Sequence, residues 1–431
     1  MAIFSNRWVV LAIILAAFGA GFLKAFNFHA AANFQPPAHD VERNGDAQFS
    51  SRFASSKQHT QTHAASAIEL ADGRIRAFWF SGSREGASDV EIHSAVFDPA
   101  RGLWGEEQSV VRREDTQLSL LRYVKKLGNP VAGRAADGTL WLYYVTVSLG
   151  GWAGSSITAM TSADEGETWS PARRLITSPF LNISTLLKGA PILYSDGSMG
   201  LPVYHEFISK FAELLHLDKN GAVLDKQRLT AGGNGALQPV MLVKNSTDAV
   251  VLMRYSGHDT PRRAITVATH DGGQHWTAPA KSALLNPDAA VAALVLPDGR
   301  MLAVLNNLEQ QRDALSLMIS ADGGSSWRTV YPLEDQVAER KQPLDEARYL
   351  KIVQGLASNT DINAAIAPGE YVESAMRQVC VEQVCHFEFS YPYMIQTRDG
   401  DIHLVYTWNR SFIKHIQFNQ AWLDQRLEQS P

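Results

Sequence analysis

A hairpin signature that recurs six times along the chain constrains the fold more than any other feature. In each copy two apolar, β-branched runs flank a turn that carries aspartate, and this pattern is typical of a β-hairpin. The turn aspartates are Asp72, Asp137, Asp196, Asp248, Asp298 and Asp399. The first five lie 50 to 65 residues apart. Such a period indicates a β-propeller, in which each small sheet buries its two apolar faces against its neighbours.

The number of blades depends on the last interval, which is 101 residues long. Residues 331–385 contain no Asp-Gly hairpin, but the stretch 345–356 suits a short helix. We therefore predict an all-β fold, a six-bladed β-propeller over residues 59–420 with an insertion at 331–385, and keep seven blades as the alternative. The final strand, near 413–418, should pair with N-terminal chain, because closing the ring removes open sheet edges.

A second motif, Ser/Thr-x-Asp-x-Gly-x-x-Trp, occurs three times, around Asp164, Asp271 and Asp322. Its aspartate can accept backbone N–H bonds inside a turn, its glycine permits a positive φ, and its tryptophan can pack between blades. Because turn chemistry explains every residue of the motif, we interpret these aspartates as structural.

Composition excludes several classes of protein. Apolar residues make up 45% and charged residues 19% of the 431 residues, which excludes a disordered chain. The net charge of −5 comes without a basic block, so nucleic acid is not expected as a partner. Two cysteines are too few for a multi-cysteine zinc site. Neither a metal nor any other cofactor is indicated, and the oligomeric state is left open.

The N-terminal residues 1–32 are interpreted as a signal peptide or an N-terminal membrane anchor. An uncharged run from Trp8 to Leu23 lies between Arg7 and Lys24. This run is long for a signal-peptide core and short for a spanning helix, so both interpretations stay open. Residues 30–32 offer a small-residue cleavage site, and the polar residues 33–58 predict a linker. We expect an exported protein, either periplasmic or anchored in the membrane and facing the periplasm or the extracellular side.

With its hairpins and its three Asp-boxes, the stretch from 60 to 418 resembles the sialidase (neuraminidase) superfamily with BNR/Asp-box repeats, in particular the bacterial predicted-neuraminidase branch. The resemblance implies a sialidase-like propeller that takes a glycan or polysaccharide at one mouth. Such folds host hydrolases, lyases and binding modules, so the function has to be argued from the site.

Five positions align with residues that the resemblance makes functional. His63 stands where the family opens blade one with a carboxylate-binding arginine, and Asp89 fits the aspartate general acid. Gln238 stands where the family has the glutamate that activates the nucleophile, whereas Arg254 matches the second carboxylate-binding arginine. Tyr391 matches the tyrosine nucleophile that opens the last blade. No arginine opens blade five, where the resemblance implies a third.

Further candidates follow from propeller geometry, because the starts of first strands and the ends of second strands meet at the mouth. Arg84, Lys188 and Arg410 are candidate cations for an acidic sugar, and Arg84 with Arg410 could rebuild the carboxylate clamp. Glu206 could replace the missing base or donate a proton. We thus predict His63, Asp89, Glu206 and Tyr391 as catalytic, and Arg84, Lys188, Gln238, Arg254 and Arg410 as substrate-binding.

Three functions remain open. The one that we favour is an exported sialidase-like glycoside hydrolase acting on acidic glycans or exopolysaccharide, exo-α-sialidase being the activity that the resemblance implies. The second is a lyase that removes a proton from a uronic-acid polysaccharide. The third is a propeller that binds carbohydrate or assembles with a partner without catalysis, because the aligned arginine and glutamate are replaced.

The two cysteines, Cys380 and Cys385, are separated by four residues. A straight strand would hold their Cα atoms about 17 Å apart, too far for a disulfide. A hairpin turning at Glu382 and Gln383 would place them opposite each other. Because export favours oxidation, we predict a disulfide between them, shortly before Tyr391.

Overall fold

The computed structural model describes residues 7–26, 32–37, 45–56, 61–178, 182–360, 368–381 and 384–429. Within these ranges six small antiparallel sheets stand in a ring, which confirms the predicted all-β, six-bladed propeller. Every predicted Asp turn joins two neighbouring antiparallel strands of one blade.

Three elements precede the first complete blade: α1 (Arg7–Phe26), β1 (Phe34–Gln35) and β2 (Phe49–Phe53). Within the part of the chain that the structure describes, no helix is long and apolar enough to cross a membrane. Residues 30 and 31 of the predicted cleavage site lie outside the described residues, as do residues 38–44 and 57–58 of the predicted linker.

The first three blades follow each other along the chain. Blade one is formed by β3 (Gln61–Glu69), β4 (Ile75–Gly82), β5 (Glu91–Asp98), β6 (Leu103–Trp104) and β7 (Gln108–Val111). Helix α2 (Arg113–Leu120) leads to blade two, which is formed by β8 (Lys126–Arg134), β9 (Leu140–Val147), β10 (Ser155–Ser162) and β11 (Arg173–Arg174). Blade three is formed by β12 (Leu186–Leu187), β13 (Ile192–Tyr194), β14 (Met199–His205), β15 (Phe211–Leu217) and β16 (Val223–Arg228), with β1 paired to β13.

The insertion separates the last two blades. Blade four is formed by β17 (Ala236–Val243), β18 (Ala249–Tyr255), β19 (Arg263–Thr269) and β20 (Ala280–Leu285), and blade five by β21 (Ala292–Val295), β22 (Met301–Leu305), β23 (Ala314–Ser320) and β24 (Arg328–Asp335). The insertion carries α3 (Glu346–Ser358), α4 (Pro368–Val379), β25 (Cys380–Val381) and β26 (Val384–Cys385). Blade six is formed by β27 (Phe389–Gln396), β28 (Ile402–Trp408), β29 (Phe412–Phe418) and β2, and the chain continues into α5 (Gln420–Gln429).

The ring is closed by the N-terminal chain, as predicted from the final strand. Strand β2 pairs antiparallel with β29, with Phe49 opposite Phe418 and Phe53 opposite Lys414. Phe53 is fully buried, and its ring lies 4.5 Å from that of Tyr371 in the insertion. The segment predicted as a linker therefore contributes a strand to the propeller, because its few aromatic residues bury enough surface to hold it there.

The insertion packs two helices onto the last blades. Asp345 caps α3, since its carboxylate accepts a hydrogen bond from the backbone N–H of Arg348 at 2.8 Å. Tyr349 on α3 and Tyr371 on α4 are fully buried in one apolar cluster with the core of blades five and six. Because β24 runs to Asp335, the insertion begins a few residues later than the sequence predicted.

A disulfide joins Cys380 to Cys385. The two residues face each other across β25 and β26, with their Cα atoms 4.0 Å apart. The predicted turn residues, Glu382 and Gln383, lie outside the described residues.

Titration of thiols tests this bond directly. The unreduced protein, denatured in urea, should show no free thiol, and it should show two per chain after reduction, because both cysteines are in the bond. The measurement is a colorimetric thiol titration, and Cys380→Ser should expose one thiol without reduction. Two thiols in the unreduced wild type would contradict the pairing.

The three Asp-boxes form the turns that the motif predicted. The Asp164 carboxylate accepts from the backbone N–H of Thr168 at 2.9 Å, and the hydroxyl of Ser162 accepts from the N–H of Gly166 at 2.8 Å. The same pattern recurs around Asp271 and Asp322. Hydrogen bonds from Thr168 hold the pKa of Asp164 at about 2. Each carboxylate is thus fully engaged in its own turn.

A histidine pair is buried where blade six meets blade one. Trp104 Nε1 donates to Nδ1 of His415 at 3.3 Å, and the imidazole nitrogens of His415 and His403 lie 2.9 Å apart. The indole N–H points at His415 Nδ1, so His415 carries its proton on Nε2 and donates to His403. Burial lowers the pKa of His403 to about 4 and that of His415 well below its ordinary value. Both rings are therefore neutral in the folded protein at pH 7.

We expect the free energy of unfolding to fall as the pH drops from about 6.5 towards 4. The unfolded chain takes up protons on these histidines near pH 6.5, whereas folded His403 does so only near 4 and His415 lower still. Each proton bound only by the unfolded chain weakens the fold by about 1.4 kcal/mol per pH unit. Urea unfolding near pH 7.5, 5.5 and 4.5 measures the dependence.

A double variant with a matched control measures how much the histidine pair contributes to the pH dependence of the free energy of unfolding. His403→Gln combined with His415→Gln should reduce the dependence between these pH values, leaving the share contributed by buried His63, whose pKa is also lowered. His258→Gln, at an exposed histidine, should leave the dependence unchanged. An identical pH dependence in the double variant and the wild type would show that the pair is not responsible.

Candidate functional site

Four first strands carry the same irregularity near their mouth ends. The register shifts between His63 and Ser66 in β3, and at the corresponding places in β8, β17 and β27. At these shifts Ala64, Asn129, Gln238 and Tyr391 adopt positive φ values of 56°, 42°, 52° and 53°. Positive φ is costly for residues with side chains, and β-bulges of this kind re-aim side chains beside functional sites.

The bulges bring polar side chains of several blades into contact at the mouth of the propeller. Nε2 of Gln238 lies 3.2 Å from the phenol oxygen of Tyr391 and 3.4 Å from that of Tyr204. Asn129 also donates to Tyr204, at 3.4 Å. Arg254 Nη1 lies 3.4 Å from the phenol oxygen of Tyr391. Two N–H groups therefore point at the Tyr391 oxygen, where they would stabilise negative charge.

His63 lies directly beside Tyr391. The two ring centroids are 4.3 Å apart, and His63 is almost completely buried. Burial lowers the pKa of His63 to about 4, so the imidazole is neutral at pH 7. Its Nδ1 has no hydrogen-bond partner among the described residues. The structure thus places this predicted residue at the floor of the site as a neutral ring rather than as a cation.

Three arginines surround this floor, and each one is paired with a carboxylate. Arg254 Nε lies 2.6 Å from Asp288, at the start of blade five. Arg312 Nη1 lies 3.1 Å from Glu388, and its Nη2 donates to the backbone oxygen of Asp288 at 2.6 Å. Arg410 contacts the same Glu388 at 2.5 Å. The chain therefore has three arginines at the mouth, although only one of them stands at an aligned position.

The arginine network extends across to blade one. Arg410 Nη1 lies 3.2 Å from Glu85, in the loop between β4 and β5. Burial opposes ionisation of Glu388, but the guanidinium groups of Arg410 and Arg312 prevail and hold its pKa at about 2. Three guanidinium groups thus face three carboxylates, Glu85, Asp288 and Glu388, so the charges of this network balance one another.

Glu206 differs from these carboxylates. It is half-buried at the end of β14, and its side chain makes no hydrogen bond or ion pair within the described part of the chain. Burial raises the pKa of Glu206, while Arg254 partly counteracts that effect. A carboxyl group with a raised pKa at the mouth is suited to hold a proton and donate it.

Two other predicted residues occupy the exposed loop 83–89 of blade one. Both carboxylate oxygens of Asp89 accept hydrogen bonds from Ser83, from its backbone N–H and its hydroxyl, each at 2.9 Å. Arg84 is exposed, and within the described residues its side chain takes no part in the arginine network. These contacts give Asp89 a structural task in the loop, and its role as general acid stays a prediction.

Lys188 lies between blades three and six rather than among the arginines. It is 2% exposed, and its Nζ donates to the backbone oxygen of Pro392 at 3.0 Å. The ammonium also stands 4.9 Å from the ring of Tyr393. Burial lowers the pKa of Lys188 to about 7. Its contacts hold the first strands of blades three and six together.

Sequence reasoning missed three members of the network: Asp288, Arg312 and Glu388. Glu388 stands directly before the first strand of blade six, whereas Asp288 lies in the loop ahead of the first strand of blade five, which begins at Ala292. Arg312 lies in the loop after β22, seven residues beyond the strand end, Leu305. A search of all charged residues in the loops on the mouth side would have found all three.

Among the described residues, no group of three or more His, Cys, Asp and Glu side chains is arranged to hold a metal ion.

Comparison with known proteins gives a family match. The sequence model of the BNR repeat-like domain family matches residues 73–404. No protein of curated function matches the chain significantly.

Solved structures share the fold at low sequence identity. A protein of unknown function from Dyadobacter fermentans has a TM-score of 0.61 and 13% identity, over 87% of this chain and 98% of that one. The NanB sialidase from Streptococcus pneumoniae has a TM-score of 0.59 and 11% identity, over 90% and 71%. The intramolecular trans-sialidase from Ruminococcus gnavus has a TM-score of 0.55 and 12% identity, over 86% and 97%. At such identities these likenesses establish the fold alone.

Replacing Glu388 tests the arginine network. Glu388→Gln should lower the free energy of unfolding at pH 7 by about 3 kcal/mol, because it leaves two half-buried guanidinium groups, of Arg312 and Arg410, without their shared carboxylate. The pKa of Glu388 is lowered to about 2 from its ordinary 4.5. The stabilisation is therefore present above pH 4.5 and is lost as the pH falls towards 2. Urea unfolding measures it.

The exposed Glu106 provides the matched control, since Glu106→Gln removes a carboxylate that lies on the surface. It should change the free energy of unfolding by less than about 0.5 kcal/mol. Equal effects of the two substitutions would argue against a network that stabilises the mouth.

Proposed function

This chain belongs to the BNR repeat-like domain family, and on that premise we propose that it is an exported glycoside hydrolase of the sialidase type. We propose Tyr391 as the nucleophile, Glu206 as the proton donor, and an acidic sugar as the reacting unit. The observation that carries the proposal is the convergence of Gln238 and Arg254 on the phenol oxygen of Tyr391, beside the arginine network.

The surroundings of Tyr391 suit a nucleophile. Tyr391 is held by a bulge with a positive φ, and two N–H groups point at its oxygen. In the first step the phenol oxygen would bond to the anomeric carbon as the bond to the leaving oxygen breaks. The N–H groups would stabilise the phenolate character of the attacking oxygen, and its proton would leave to solvent. Water would then release the sugar from Tyr391 in a second step.

Burial suits Glu206 to the role of proton donor. The leaving oxygen needs a proton as its bond breaks. Glu206 stands at the rim, and burial raises its pKa, so a larger share of this carboxyl group stays protonated at neutral pH. In the second step the resulting carboxylate could take a proton from the attacking water.

An acidic sugar is favoured by the guanidinium groups that face the mouth. Arg254 uses Nε and Nη1, and Arg410 likewise uses Nε and Nη1, in their contacts with protein groups. Within the described residues the Nη2 atoms of both arginines make no hydrogen bond. These two N–H-bearing atoms remain to bind a sugar carboxylate through charge-assisted hydrogen bonds.

A second candidate function, binding without catalysis, is favoured by Gln238. Its amide donates to the Tyr391 oxygen and cannot accept the phenol proton as a carboxylate would. Each of the three arginines is also already paired with a carboxylate. A protein with these features could hold a glycan at the mouth without cleaving it.

Export is part of the proposal. Its support is the uncharged run from Trp8 to Leu23 after Arg7, together with the disulfide between Cys380 and Cys385. Disulfides persist mainly in oxidising compartments such as the periplasm and the cell exterior. We propose a periplasmic location or anchoring that faces the same side.

Hydrolysis of fluorogenic glycosides tests the proposed function. The purified full chain is offered a sialoside, a uronide and neutral hexosides, and product release is followed by fluorescence. We expect release from an acidic glycoside, and Tyr391→Phe and Glu206→Gln should each reduce kcat by about 100-fold or more. Tyr123→Phe, at an exposed tyrosine of blade two's entry loop, is the matched control and should leave kcat unchanged.

Other outcomes separate the alternatives. Binding of an acidic sugar without any product would favour the non-catalytic propeller. Release that is equal in the wild type and Tyr391→Phe would exclude Tyr391 as the nucleophile. Release from neutral hexosides alone would exclude the acidic reacting sugar.

A further inference from the structure

A cavity of about 530 Å³ lies outside the mouth, between the insertion and the loop from β22 to β23. Its size is within the range of small-molecule sites. Polar lining is provided by Gln311, Asp313, Gln336 and Arg340, and an apolar surface by Leu344 and Phe387. None of these residues takes part in the site described above.

The cavity and the mouth share one wall. Arg312 and Glu388 pair on the mouth side, whereas their chain neighbours Gln311, Asp313 and Phe387 line the cavity. Two backbone hydrogen bonds hold the wall, from Phe389 N to Arg312 O at 2.8 Å and from Gln336 N to Asp313 O at 2.9 Å. A ligand chain that leaves the mouth across this wall would therefore reach the cavity.

Asp313 supplies the observation that points to a ligand. The residue is 5% exposed, and its Oδ2 lies 2.6 Å from Arg340 Nε. Its other oxygen, Oδ1, is buried and has no hydrogen-bond partner within the described chain. A buried acceptor without a donor is costly, and a ligand that brings an O–H or N–H group would remove that cost.

The lining selects the chemistry of the ligand. The two acidic residues of the lining, Asp313 and Glu339, are matched by two basic ones, Arg340 and Lys341, so the cavity does not favour a charged group. Amide side chains and a carboxylate oxygen suit hydroxyl groups, and the apolar side chains Leu344 and Phe387 suit the C–H face of a sugar ring. These are the contacts that a neutral saccharide offers.

We propose that this cavity is a second carbohydrate subsite, which binds a neutral sugar unit of the glycan whose reacting unit enters the mouth. A hydroxyl group of this unit donates to Asp313 Oδ1, and the amides of Gln311 and Gln336 bind neighbouring hydroxyl groups. The assignment of the two units to one glycan rests on the proposed function, whereas occupation of the cavity by a neutral sugar does not.

Calorimetric titration tests the subsite separately from hydrolysis. The full chain is titrated with three neutral probes: lacto-N-tetraose, maltotetraose and cellotetraose. At least one probe should bind the wild type. Asp313→Asn should weaken the affinity for that probe about ten-fold or more, because a neutral acceptor replaces a charged one. Gln311→Ala, at an exposed position, should weaken the same probe with no change in the melting temperature. The Gln311→Ala variant therefore still tests the subsite if Asp313→Asn disturbs the pairing between Asp313 and Arg340.

A mouth variant serves as the control. Arg254→Gln should leave the affinity for the neutral probe within about two-fold, since Arg254 does not line the cavity. Failure of all three probes to bind the wild type would overturn the proposal. The proposal would also be overturned if Arg254→Gln lost binding of the neutral probe while Asp313→Asn and Gln311→Ala bound it as the wild type does. Bound neutral sugar without hydrolysis of any glycoside would reject the proposed function and leave the subsite intact.

Discussion

The pairing of β2 with β29 is the contact on which the remaining structure depends. A propeller blade has two apolar faces, and only its neighbours can cover them, so an open ring would expose both faces at the gap and one free strand edge. Here the outer strand of the last blade comes from residues 49–53, with Phe53 packed against Tyr371 of the insertion. The same strand therefore closes the ring and fixes the insertion. The mouth depends on this closure as well, because Tyr391 belongs to blade six and its partner Gln238 to blade four.

Strain at the first strands is compensated by this packing. A positive φ in a residue such as Tyr391 costs about 1–3 kcal/mol, and the structure has it in four first strands at the same place. In an isolated hairpin the chain would relax to regular pairing. Inside a closed ring, neighbouring blades hold the strands in position, and the bulges turn Asn129, Gln238 and Tyr391 towards shared contacts. The site is thus built by the ring as a whole rather than by one loop.

The sequence predicts those parts of the fold that local chemistry determines. Each hairpin turn has its own aspartate, as at Asp298, whose carboxylate accepts from the N–H of Arg300 at 3.0 Å. The helix expected at 345–356 is observed as α3, with its own capping residue. Pairing of the N-terminal chain with the last strand is predicted, but the positions of β1 and β2 escape prediction, because the two strands are short and stabilised by distant partners. The pairs of Arg312 with Glu388 and of Arg254 with Asp288 escape it for a related reason. Each joins a residue of one blade to the start of the next, 76 and 34 positions away, and no local pattern in the sequence reveals such a contact.

The replacements at the aligned positions are connected through charge. Where the resemblance implies an arginine, His63 is a buried neutral ring, so a nearby carboxylate would find no positive charge there. Where it implies a glutamate, Gln238 is neutral as well, so one charge of each sign is absent from the floor of the mouth. The remaining arginines are held by Asp288, Glu388 and Glu85, which belong to the protein itself. A sugar carboxylate entering this mouth would gain hydrogen bonds from guanidinium N–H groups, but it would not neutralise an excess of positive charge. Its affinity should therefore depend on hydrogen-bond geometry more than on net charge, and respond weakly to ionic strength.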